Sequence, residues 1–148
     1  MQLQQGAVET IKQRTFKMKK IIFVLSLITV LIGAKAQNAM SKWPELKSFH
    51  GVMSQTFHPS EEGNLQPIKE RSKELAKKAS ALSKSNIPNE FKNDKVKKAI
   101  LKLAEDSKKL NKQIEGKKIS DDDIIKSLNS LHDVFHQIVG LCNKENEN

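Results

Sequence analysis

One cysteine, Cys142, occurs in 148 residues. A single thiol closes no internal disulfide, so stability has to come from packing or from a bound group. Long hydrophobic runs are also scarce. The longest, residues 21–32, is twelve residues, well short of the roughly 20 needed to cross a bilayer. No stretch alternates apolar and polar residues as a half-buried strand does, and no internal repeat is visible. Missing as well are a Ser-His-Asp set, a protected carboxylate pair and the glutamate of an H-E-x-x-H helix. The chain is therefore expected to bind something rather than to be an enzyme.

What is there begins with a leader. "MKKIIFVLSLITVLIGAKAQ" opens at Met18 with two lysines, runs apolar and reaches Ala34-Lys35-Ala36, the shape of a secretory signal peptide with an A-x-A cleavage site. Residues 1–36 are read as an upstream extension plus signal peptide, and 37–148 as one exported, periplasmic domain with no stable membrane anchor after cleavage. Gln37 in place of cysteine argues against a lipoprotein.

The leader also distorts the charge. Of 26 basic and 17 acidic residues it holds six and one, leaving 20 against 16, about +4 in place of the whole-chain +9. The remaining lysines are interleaved with Glu and Asp along helical stretches, so they read as a solvated surface, and nucleic acid is not an expected partner.

Four stretches show helical spacing. After Trp43-Pro44, residues Leu46, Phe49, Met53 and Phe57 recur at three- and four-residue steps until "HPSEEGN" stops them. From Pro67, Ile68, Leu75, Ala79 and Leu82 form a face as far as "KSNIP". From Asn93 or Asp94, Val96, Ile100, Leu103, Leu110 and Ile114 lead to Gly116, a natural C-terminal cap. Ser120 and Asp123 suggest a loose capping box in an acidic first turn, followed by Ile125, Leu128, His132, Phe135, Val139 and Cys142. With short connections, the expected fold is all-α, an up-down-up-down antiparallel four-helix bundle.

In such a bundle the start of the first helix lies beside the end of the last. His50 is six residues after Pro44 and His136 six before Cys142, which puts both roughly 9 Å in from the same end at about 1.5 Å per residue. Met53 falls near the level of His132. His58, eight residues beyond His50 and thus about 12 Å along the axis, is expected at the other end with Glu61 and Glu62, as a helix-end residue beside solvated loop acids. His132 and His136, at i and i+4, project to one side and suit a zinc or copper ion, with His50, Met53 or Cys142 completing the set. The alternatives are core packing for the histidines and Met53, and a small buried hydrophobe for Cys142.

The stretch "LNKQIEGKKISDDDIIKSLNSLHDVFHQI" resembles the last part of the cytochrome b562 family, small periplasmic four-helix bundles that hold one non-covalent haem. The matching features are the turn Glu115-Gly116-Lys117 and the triplet Phe135-His136-Gln137. The resemblance implies haem b, with His136 as one axial ligand and His50 or Met53 from the first helix as the other. It also implies electron transfer to a redox partner protein. No C-x-x-C-H occurs, so covalent attachment is excluded. Beside this stand a periplasmic copper- or zinc-binding bundle using His50, His132 and His136, and an interaction bundle without cofactor.

Overall fold

The computed structural model describes residues 39–144; the expected leader lies outside them. Within them the chain is all-helical, with four helices and, among the described residues, no strand. They are α1 (Pro44–Glu61), α2 (Gln66–Lys84), α3 (Asp94–Glu115) and α4 (Asp121–Lys144), with a 3-10 turn at Asn89–Phe91 between α2 and α3. Each helix packs against its neighbours in sequence, and α1 also packs against α4, which closes the ring of contacts around one core.

Local chemistry explains the boundaries. A helical turn at 39–42 leads into Trp43, whose backbone is extended (φ −130°, ψ 90°) because the following Pro44 disfavours the helical region. Pro44 then sits in the first turn of α1, where its missing N–H is no loss. The helix does not stop at Phe57. It runs through Pro59 to Glu61, the last turn tolerating the proline, and the turn is made by Gly63 at φ +83°. At α3 the Asn93 side chain accepts a hydrogen bond from the Val96 N–H at 2.8 Å. At α4 the Ser120 hydroxyl accepts from the Asp123 N–H at 3.2 Å and donates to the Asp123 carboxylate at 2.7 Å. That hydroxyl, and then Lys126, hold the Asp123 carboxyl below its usual range.

The end of α3 departs from expectation. Gly116 is not left-handed (φ −77°); Lys117 takes that conformation instead, at φ +50°. Glycine matters at 116 for closeness: a Cβ there would meet the Lys112 carbonyl oxygen at 3.1 Å.

The core contains Leu46, Phe49, Val52 and Met53 of α1, Ile68, Leu75, Ala79 and Leu82 of α2, Val96, Ile100, Leu103 and Leu110 of α3, and Leu128, Leu131, Phe135, Ile138 and Cys142 of α4. The apolar faces are those read from spacing, with two shifts: Ile124 rather than Ile125 is the fully buried isoleucine at the start of α4, and Ile114 is half-buried. Trp43 and Phe91, both buried, stack with centroids 6.4 Å apart, and the Trp43 indole N–H donates to the Ser85 hydroxyl at 2.9 Å. Phe91 thus seals the start of α1, carried there by the 3-10 turn.

Candidate functional site

All four histidines of the chain lie on α1 and α4. Two aromatic anchors hold the helices in register. Phe135 of α4 packs on Phe49 of α1 (centroids 5.9 Å, tilted), and the His50 ring lies nearly flat on the same Phe135 at 4.9 Å. Seven residues further along α1, Phe57 stacks on His132 at 3.9 Å and 12°. Such stacked pairs add roughly 0.5–1.5 kcal/mol each beyond the area they bury.

His132 and His136 then meet edge to face, with centroids 4.4 Å apart and their Nε2 atoms separated by 3.1 Å. One Nε2 donates and the other accepts, so the two rings carry opposite tautomers. The separation has a second meaning. Two imidazole nitrogens bound to one ion at about 2.0–2.1 Å lie about 3.3 Å apart at a tetrahedral angle and about 2.9 Å apart at a right angle. The observed 3.1 Å falls between, so the spacing of the two nitrogens matches that of a ligand pair on one divalent ion.

Electrostatics links the remaining histidines to this pair. The His50 imidazole is held below the ordinary range, first by burial, then by the nearby charges of His136 and His58. His132 is lowered by burial and by His136 against the opposing pull of Asp133 and Glu61, with His58 adding to the lowering. His58 sits in the last turn of α1, the end expected for it. Its Nδ1 lies 2.9 Å from Glu61 Oε2. The count along α1 already groups His58 with Glu61 at this helix end.

The other expected donors sit elsewhere. Met53 and Cys142 are fully buried in the core, whereas His136 is exposed. The accessible donors are imidazoles and a carboxylate, with no soft sulfur among them. In the conformation described, no three His, Cys, Asp or Glu side chains surround a common point among the described residues; the His132–His136 nitrogens lie at ligand spacing.

A haem held by His50 and His136 would require a rearrangement of this seam. An axial pair of His50 and His136 needs an apolar slot between its donors. Phe135, 1% exposed, lies against His50 there, and His136 turns outward to His132. A Met53–His136 pair would join a core thioether to a solvent-facing ring. The open groove between α3 and α4, about 430 Å³, contains no imidazole, and its Lys102–Asp106 and Lys126–Asp123 pairs satisfy one another at the surface. No protein-family model, curated protein or solved structure matches the chain.

Proposed function

We propose that this protein is an exported, periplasmic antiparallel up-down-up-down helix bundle. It binds a divalent ion of the zinc or copper(II) class at the α1–α4 seam through His132 and His136, joined by His50. The observation that carries the reading is the 3.1 Å Nε2 to Nε2 separation of the His132–His136 pair. Nitrogen donors without thiolate or thioether suit borderline ions, and among these the Irving–Williams order makes Cu²⁺ the tightest.

Contacts between helix ends support the topology. The start of α1 meets the end of α2 through Trp43 and Ser85, and early α2 meets late α3 through Ser72 and Asn111 at 2.9 Å. Lys69 and Asp121 pair at 2.7 Å near the starts of α2 and α4. The stacking register runs in opposite senses along α1 and α4.

The test is titration of the untagged mature chain with Zn²⁺ and Cu²⁺, beside the double variant His132→Gln/His136→Gln, with a parallel titration with haem. The expected result is one tight ion site, lost in the double variant. Unchanged ion binding in the double variant would overturn the assignment. A Soret band that appears on adding haem and disappears in His136→Ala would favour the haem b reading, and would require Phe135 to leave its place on His50.

A further inference from the structure

The outer surface of the α2–α3 pair joins two features that the packing of the bundle does not explain. The first is charge. On α3, Lys97 and Lys98 stand four and three residues before Leu101, and Lys108 and Lys112 seven and eleven after it; such spacings share one side of a helix, and all four lysines are exposed. On α2, exposed Lys73, Lys77 and Lys84 share a side with Ser80 in the same way, seven and three residues before it and four after. A shallow groove of about 290 Å³ connects the two rows, lined by Ala76 and Ser80 of α2 and by Ala104, Glu105 and Lys108 of α3. Among the described residues none of the seven lysines pairs with a carboxylate, although Lys69 and Lys102 on the same helices do. The acids on this side of α3 are Glu105 and, at its first residue, Asp94.

The second feature is Leu101 itself. It stands 52% exposed amid these lysines, the one large hydrophobic side chain left open among the described residues. The groove beside it is lined by small side chains, so the leucine is the apolar group that this surface offers to a partner.

We infer that the α2–α3 face docks on a lipid bilayer bearing anionic phospholipid headgroups, with the lysines at the phosphates and Leu101 inserted at the headgroup boundary. Composition selects this partner. Protein interfaces enrich arginine and aromatic rings and deplete lysine. Helices α2 and α3 have no aromatic residue, and their one arginine, Arg71, is engaged with Glu74 and Gln55. The same lack of rings removes the platform on which single-stranded nucleic acid stacks. A lysine ammonium is a compact, hydrated point charge that demands no fixed partner geometry, which suits a fluid array of phosphates. An exposed leucine gains from a bilayer what no soluble polyanion offers it. The face uses no residue of α1 or α4, so it stands or falls apart from the ion site.

The experiment is co-sedimentation of the untagged mature chain with vesicles of mixed phosphatidylglycerol and phosphatidylcholine, beside vesicles of phosphatidylcholine alone. The parent is expected on the anionic vesicles only, and is expected to leave them at about 1 M salt, where the screening length is about 3 Å. Lys98→Gln/Lys108→Gln should lower the partition coefficient roughly 20-fold, at about fivefold for each lysine near the surface. Leu101→Ser should lower it about fivefold or more. The control Lys47→Gln/Lys126→Gln makes the same change in net charge on α1 and α4 and should partition like the parent. Circular dichroism should show all three variants folded, since every substituted side chain is exposed. An equal loss in the control would reduce the effect to net charge and overturn the assignment of a face. Parental partitioning of Leu101→Ser, equal binding to neutral vesicles, or tighter binding to duplex DNA or polyglutamate than to the anionic vesicles would each overturn the lipid proposal.

Discussion

The α1–α4 half and the α2–α3 half of this protein are built from different materials. Helices α1 and α4 carry three phenylalanines and all four histidines; α2 and α3 carry no aromatic residue at all. Where α2 meets α3 the buried positions include Ser72, Ala79, Ala99 and Ser107, small enough to let the backbones come close over much of their length. Between α1 and α4 the rings of Phe49, Phe57, Phe135, His50 and His132 take that space, and the backbones approach over a shorter stretch. Helix separation follows the size of the side chains at the contact. Charge divides the same way. Thirteen basic against six acidic residues give α2 and α3 a net +7, while three against six give α1 and α4 a net −3. One half is a tight scaffold with a solvated lysine surface. The other is a ring-lined seam whose negative surroundings favour cations.

The largest expected effect on that contrast comes from cutting the seam's anchor. Phe135→Ala should cost about 3–5 kcal/mol, read as a lower urea midpoint; a loss under about 1 kcal/mol would mean that the seam does not hold the helices. Next is the ion itself. With free Zn²⁺ at about 100 times Kd, the parent should gain about 2.7 kcal/mol in stability. Ser72→Ala or Ser107→Ala, on the scaffold half, should keep that gain, and His132→Gln/His136→Gln should abolish it. If a scaffold variant removes the gain, the two halves are not functionally distinct.

Smaller effects sharpen the picture. Asn93→Ala removes the α3 cap and should cost about 1 kcal/mol. Ser107 places a hydroxyl in the core with no hydrogen-bond partner, so Ser107→Ala should be neutral or stabilising by up to about 1 kcal/mol. Acid should weaken the metal-stripped protein through the seam. His50 and His132 bind protons less readily folded than unfolded, chiefly because burial disfavours their charged forms. Protonation therefore favours the unfolded chain. Stability should be full above the ordinary imidazole value of about 6.5 and should fall as the pH drops below it. Comparison of melting temperatures at pH 7.5 and pH 5 in the parent and in His50→Gln/His132→Gln measures this share, and an equal acid response in both would assign it elsewhere.

The helices were legible because their apolar spacing, prolines and caps are local signals: Leu46, Phe49, Met53 and Phe57 announce α1, and Asn93 announces the start of α3. Other features were not. Pro59 looked like a stop but is tolerated in the last turn of α1. Gly116 looked like the left-handed cap, yet its role is close approach to Lys112, and Lys117 takes the left-handed turn. Trp43 gave no hint that its partner would be Phe91, since that contact depends on where the second connection folds back.

The order of residues was enough to specify an all-helical chain, the faces that would be buried, and the i, i+4 spacing that sets His132 beside His136, because each follows from the 3.6-residue period of a single helix. Packing alone decided the rest. It laid Phe135 against His50 and sank Met53 and Cys142 into the core. Those placements depend on the rotation and register of one helix against another, which residues far apart in the chain set together and no single stretch encodes.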